Sequence, residues 1–211
     1  MTPAIIIAID GPAAAGKGTL ARRLATSLGL AYLDTGLLYR AVGRRVLDTG
    51  AAPSDAVAAE AAAHALVAAD LLRTDLRGPE ADQASSLVAK APGVRAALLA
   101  FQRNFANQGA VLDGRDIGTV VIPDATVKLF VTATPSARAR RRWLELQGRC
   151  VPVPLDQVEA ELQARDAQDA ARATAPLKAA ADAVMLDTTT LDADAAFARA
   201  LEIVRSRLGF S

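Results

Sequence analysis

The apolar run Ala4-Ile5-Ile6-Ile7-Ala8-Ile9 passes through Asp10 straight into Gly-Pro-Ala-Ala-Ala-Gly-Lys-Gly-Thr at positions 11 to 19. A buried strand, a glycine-rich loop and a helix start in that order fit few folds, because the loop must sit at the end of a strand in a covered sheet with a helix running back from it. Glycines at 11 and 16 let the backbone curl so that successive N–H groups converge on phosphate. Lys17 reaches the β- and γ-oxygens, and the helix beginning there adds its positive end. The segment Gly11, Pro12, Ala13, Ala14, Ala15, Gly16, Lys17, Gly18 and Thr19 is therefore expected to bind a nucleoside triphosphate.

Gly18 follows the lysine where the commonest form of this loop carries Ser or Thr, so the hydroxyl that usually ligates magnesium is missing and Thr19 comes one residue later. The Gly-Lys-Gly-Thr ending resembles nucleoside monophosphate kinases more than switch GTPases. It implies that Mg²⁺ is carried by ATP phosphates and water, with no protein residue as a metal ligand.

A chain of 211 residues suits one globular domain with small inserted lobes. Its net charge of +1 gives no case for nucleic acid as a partner. With 52% apolar but only 4% aromatic residues, the apolar fraction is largely alanine, which points to many helices packed closely around a sheet. No segment has the ~18 apolar residues of a membrane span, and the first strand lacks the length and basic flank of a signal sequence. A cytoplasmic protein is expected. Cys150 is the single cysteine and His64 the single histidine, so an internal disulfide and a multi-cysteine metal site are excluded, and the chemistry is expected to rest on neither residue.

Short β-like runs alternate with helical stretches, the pattern of an α/β protein with a parallel central sheet covered on both faces. Strands are expected at 4–9, 30–33, 110–112, 127–131 and 184–186. Helices are expected at 17–28, 37–48, 54–70, 80–89, 93–107, 136–147 and about 155–172, with a last one after Asp192. In such a sheet ligands bind at the carboxyl ends of the strands, where the phosphate loop, Asp34 and Asp113 are expected to converge.

If ATP is one ligand, the lining decides where its γ-phosphoryl goes. A phosphate acceptor brings two anions face to face, which calls for guanidinium groups from several directions and for no strong base. The chain offers Arg40, Arg95, Arg115, Arg138, Arg140, Arg141, Arg142, Arg149, Arg165 and Arg172. In the series Arg165-Asp166-Ala167-Gln168-Asp169-Ala170-Ala171-Arg172, a helix of about 100° per residue places 165, 169 and 172 within roughly 60° of one another. That face is either a grip on phosphate and ribose or a salt-bridged surface. In Asp113-Gly114-Arg115-Asp116-Ile117-Gly118-Thr119, beyond a buried strand, glycines permit tight turns that present Arg115 and Asp116 to a ligand.

Taken together, Ile9 to Pro12, Asp34-Thr35-Gly36 with Tyr39-Arg40, the block from Asp113 to Val121 with Pro123-Asp124-Ala125, the 165 to 172 series with Ala175-Pro176-Leu177, and Ala180 to Thr188 resemble the bacterial cytidylate kinases over nearly the whole chain. The resemblance implies a three-layer P-loop NTPase fold, a single domain over 1–211 with a small monophosphate-binding lobe at about 36–107 and an Arg-rich lid at about 138–160. It also implies transfer of the γ-phosphoryl of Mg-ATP to CMP or dCMP by a monomer that acts on small nucleotides. Lys17, Arg115 and Arg172 would be catalytic. Thr35 would belong to the acceptor site, Arg40, Arg115 and Arg172 would hold the acceptor phosphate or the group in transfer, and Arg165 with Asp169 would engage the ribose and phosphate. Ser86, Arg95 and Asp116 would face the pyrimidine, where a carboxylate can accept from the cytosine amino group but not from a uracil carbonyl.

Two departures from the family pattern stand out. Only Leu71 to Pro79 occupies the place of a longer β-rich insertion, and Ala167, Gln168 and Ala170 replace polar or charged residues. The alternatives that remain are a kinase for UMP or another small acceptor, and a nucleotide-binding regulator without turnover.

Overall fold

The structure, a computed structural model, describes residues 4–209. Five strands, β1 (Ile6–Asp10), β2 (Ala31–Asp34), β3 (Ala110–Gly114), β4 (Val127–Thr132) and β5 (Val184–Asp187), form one sheet in the order β2-β3-β1-β4-β5. β1 runs parallel to β3 and β4, and β4 parallel to β5. Every residue of β3 is buried, and β1 is buried from Ile7 onward, as expected of strands covered on both faces. The register sets Asp10 beside Gly114, so the loops leaving β1 and β3 start level with each other.

The chain divides into two compact units. The first comprises 1–33 and 106–211, the second 34–105. In the first, α1 (Lys17–Leu28) and α8 (Ala193–Leu208) pack with the sheet through Leu20, Leu24, Ala200 and Val204 against Ile7, Ile9, Val111, Leu129 and Val131. Each leucine, isoleucine and valine among them contributes about 1.5–3 kcal/mol by leaving water. Asp192 caps α8 by accepting from the Asp194 and Ala195 amides, as the Asp-Ala start predicts.

α6 (Pro135–Gly148) and α7 (Leu155–Ala170) pair through Ala139, Leu146, Val158 and Leu162, with Ala13 of the phosphate loop in the same cluster. Trp143 packs against this cluster and donates its indole N–H to the Val153 carbonyl at 3.0 Å. The expected helix to Arg172 stops at Ala170. The chain turns there, with the Leu177 amide donating to the Asp169 carbonyl at 2.9 Å and Ala175 at φ 54°. Arg172 therefore lies beyond the helix whose face it was expected to share.

The second unit contains α2 (Thr35–Asp48), α3 (Ala56–His64), α4 (Pro79–Val88) and nearly all of α5 (Pro92–Ala106). α2 and α4 lie close because Gly43 faces Ala84, where an added Cβ would come within 2.8 Å of the alanine methyl. The helix expected over 54–70 breaks after His64. A 3-10 turn follows at Ala68–Leu72, and Asp70 accepts from the Val67 amide, a local bond that competes with continued α-helix. The short segment after it is braced by charge. Arg73 bonds Asp48 at 2.5 Å and Asp75 at 2.7 Å, and Arg44 reaches Asp75 and Glu80. No helix among the described residues is long and apolar enough to cross a membrane.

Candidate active site

The phosphate loop leaves β1 at Gly11, whose φ of 145° and contact with the Val131 carbonyl admit no side chain, since an added Cβ would run into that oxygen. Gly16 and Ala14 also take positive φ, 89° and 59°. An alanine in this region is strained, and the strain persists because the surroundings fix it. Three of the loop carbonyls are bonded from outside the backbone ladder. Pro12 O accepts from Lys17 Nζ at 2.7 Å, Ala13 O from Arg138 Nη1 at 3.3 Å, and Ala15 O from the Thr188 hydroxyl at 3.1 Å.

Lys17, the first residue of α1, is buried, and burial together with the Arg115 guanidinium pushes its ammonium down to about 7, against the pull of Asp113 and Asp10. Thr19 is exposed. Gly18 faces the Asp113 carboxylate and the Tyr32 hydroxyl, which bond each other at 3.0 Å; a Cβ at 18 would sit 3.3 Å from Asp113 Oδ2 and 3.6 Å from the Tyr32 oxygen. The place of the usual hydroxyl side chain is thus taken by this pair. Magnesium prefers hard oxygen donors and keeps much of its water, and Asp113 is a carboxylate of that kind beside the loop. Among the described residues no group of three or more His, Cys, Asp or Glu side chains is arranged to hold a metal.

In the same unit, Asp169 gathers the arginines of two other segments. Its Oδ2 accepts from Arg115 Nε at 2.9 Å and its Oδ1 from Arg172 Nη2, with the carboxylate 1% exposed. Burial alone raises such a carboxyl, but the guanidinium groups of Arg115, Arg172 and Arg165 outweigh it, and the net displacement is downward. The i, i+4 spacing within α7 therefore carries a buried cluster, fed by Arg115 after β3 and by Arg172 after the helix. Asp116 is buried and opens a π-type turn over Ile117–Val121, its carbonyl accepting from the Val120 and Val121 amides.

The arginines of α6 divide. Arg138, expected in the lid, is buried instead; it bonds the carbonyls of Ala133 and Ala13 and pairs with Asp166 of α7 at 2.7 Å. Arg141 holds the Thr188 hydroxyl at 3.0 Å and the Thr188 carbonyl. Arg140 is exposed, and Arg142 and Arg149 both pair with Glu145. Helical periodicity explains the split, since residues 138 and 141 share the face turned to the protein.

The second unit holds the other expected residues. Thr35 is buried at the start of α2. Arg40 donates from Nε to Asp82 at 3.0 Å and lies 4.0 Å from Asp34, to which Arg77 also turns, at 3.7 Å. The Ser86 hydroxyl donates back to the Asp82 carbonyl at 3.0 Å. Arg95 stacks over the Tyr39 ring, 5.7 Å from its centroid. Asp10, Tyr32, Asp82 and Thr188 take part in these arrangements but were not singled out from sequence. Only Asp10 left a signal there, as a carboxylate ending an apolar strand.

The family model for cytidylate kinase matches residues 7–206. A cytidylate kinase of Granulibacter bethesdensis is 64% identical over 204 residues, which make up 96% of this chain and 98% of that one. A cytidylate kinase of Acidiphilium cryptum is 59% identical over 209 residues, 99% of each chain. Coverage this complete means that these relatives are of essentially the same size, so the short 71–79 segment is no private deletion. In fold, the crystal structure of an uncharacterized protein from Eubacterium ventriosum matches with a TM-score of 0.55 at 15% identity, covering 96% of this chain and 99% of that one.

Proposed function

The chain belongs to the cytidylate kinase family, and from that premise we propose that it moves the γ-phosphoryl of ATP to the phosphate of CMP or dCMP, releasing ADP and CDP or dCDP. An oxygen of the monophosphate forms the new bond to the γ-phosphorus while the bond from that phosphorus to the β,γ-bridging oxygen breaks. The attacking oxygen is already anionic, so the work is positioning and charge neutralisation.

The observation that carries the reading is the Asp169 cluster, in which two guanidinium groups are held in fixed orientation by one buried carboxylate, in the unit that also carries the phosphate loop. A site that only binds ATP has no use for this second set of phosphate-binding cations. Carbonyls bonded at Pro12, Ala13 and Ala15 support a loop whose N–H groups serve the phosphates, and Lys17 lies at its end. We assign Lys17, Arg115 and Arg172 to the group in transfer, Arg40 with Arg115 and Arg172 to the acceptor phosphate, and Arg165 with Asp169 to ribose and phosphate. Thr35, Ser86, Arg95 and Asp116 serve the nucleoside, with Asp116 accepting from the cytosine amino group. The segment at about 36–107 acts as the monophosphate-binding lobe. In the lid at about 138–160, Arg138 and Arg141 serve as internal braces, and the exposed side of α6 is left to meet ATP.

Magnesium fits a site in which Asp113 is the carboxylate beside the loop and Gly18 offers no hydroxyl. It is carried mainly by phosphate oxygens and water, and when bound it offsets the charge of the triphosphate. The same reading places the enzyme in the cytoplasm as a monomer.

The test is ADP release from Mg-ATP with CMP, dCMP, UMP, dTMP, AMP and GMP in turn, and with no acceptor. Turnover confined to CMP and dCMP is expected. Equal turnover of UMP refutes the base selectivity, and no acceptor-dependent turnover refutes the kinase.

A further inference from the structure

Asp10 ends β1 immediately before the phosphate loop and is 4% exposed. Strand pairing does not require a carboxylate there, since its partners in register are Gly114 and Phe130. Both of its oxygens are engaged elsewhere: Oδ1 accepts the Ile117 amide and Oδ2 the Gly118 amide, each at 2.7 Å. These are short, charge-assisted bonds across more than a hundred residues of sequence.

The price of this carboxylate is visible in its acidity. Burial pushes Asp10 up to about 6, with Asp116 acting in the same direction, while the Gly118 and Ile117 amides and Lys17 oppose it. A buried anion held against that penalty calls for a role that an apolar residue cannot fill. The two amides belong to the residues that directly follow Arg115 and Asp116, at the start of the π-type turn Ile117–Val121. Single π turns are rare and recur at functional sites. The fit is tight, for a Cβ at Gly118 would lie 3.1 Å from Lys128 Cδ and 3.3 Å from Asp10 Oδ2.

We propose that Asp10 is a positioning residue: rooted in the strand that carries the phosphate loop, its carboxylate fixes the backbone at 117–118 and thereby sets Arg115 and Asp116 in register with Lys17. The inference rests on the roles given above to Arg115 and Asp116. It ties Lys17 on the ATP side to Arg115 and Asp116 on the acceptor side within the first unit, so losing the carboxylate impairs the chemical step more than ATP binding.

Asp10→Asn replaces one acceptor by an NH₂ donor that faces a backbone N–H. We expect kcat to fall by about 30-fold, within the range in which a 1 Å misplacement costs on the order of 100-fold, and KM for ATP to change less than about threefold. The amide resonances of Ile117 and Gly118 should be displaced. In an Arg115→Met background the same substitution should cost kcat less than about threefold, because Arg115, the group through which it acts on the phosphoryl in transfer, is already gone. A folded Asp10→Asn enzyme with kcat within about twofold of the parent overturns the proposal, as does a full additional loss in the Arg115→Met background. Should Asp10→Asn not fold, Gly118→Ala decides: it crowds the same bonds, so a comparable kcat loss supports the proposal and an unchanged rate overturns it. Full activity of Arg115→Met alone refutes the role given to Arg115. The claim about Asp10 is then judged on the two amide resonances, standing if they move in Asp10→Asn and refuted if they do not.

Discussion

Arg138 Nη1 donates to the carbonyl of Ala13 at 3.3 Å, and the same guanidinium pairs with Asp166 at 2.7 Å. One buried cation thus ties the phosphate loop to the helix that carries Arg165 and Asp169. Arg138→Met should remove both ties and leave the Asp166 charge without its partner, destabilising the fold by about 3 kcal/mol. Urea denaturation measures this, and a change below about 1 kcal/mol contradicts the brace.

Gly18→Ser restores the hydroxyl position of the commoner phosphate loops, but its Cβ meets Asp113 and Tyr32. We expect kcat/KM for ATP to fall about tenfold, the cost of crowding a packed site, with no gain in apparent magnesium affinity. Titration of activity with Mg²⁺ at fixed ATP checks both parts.

Lys17, held down to about 7, is only partly protonated at pH 7.5. A triphosphate beside it favours the ammonium and raises that value, so ATP binding at pH 7.5 should take up a proton. Calorimetry in buffers of different ionisation enthalpy should detect the uptake, and Lys17→Met should abolish it.

Asp116→Ala should lower kcat/KM for CMP about 30-fold, the cost of a lost acceptor in a buried site, and leave UMP little changed. Steady-state rates with both acceptors decide, and equal losses refute a base-reading role.

Asp169 and Asp10 have opposite effects on stability in acid. The folded pKa of Asp169 lies below its unfolded value, so its stabilisation is present above about 3.8 and is lost as the pH falls through the folded value. Asp10 is raised to about 6, so its contribution is largest below about 3.8 and disappears as the pH rises through 6. Asp169→Asn should therefore flatten the acid side of a plot of melting temperature against pH, whereas Asp10→Asn should remove a decline between about 4 and 6.

The strands, the phosphate loop and most helices were legible because each is written locally, as an apolar run, a glycine-lysine loop or a helical period. Arg138, Arg140, Arg141 and Arg142 look alike in the sequence, and only the α6·α7 packing decides which of them faces inward. Arg172 was placed on a helix that ends two residues earlier, at Ala170; spacing predicts a shared face but does not register the turn that Leu177 closes on Asp169. The partners of Asp10 and Thr188 were not legible because they lie 107 and 173 residues away, at a range no local pattern encodes.

That range has a consequence for synthesis. The loop at 11–19 leaves the ribosome early, yet the groups that hold its carbonyls at Ala13 and Ala15 are Arg138 and Thr188. A nascent chain halted between Arg138 and Thr188 has the whole loop sequence and lacks the hydroxyl that holds the Ala15 carbonyl. Both props are in place only in a polypeptide that is almost finished.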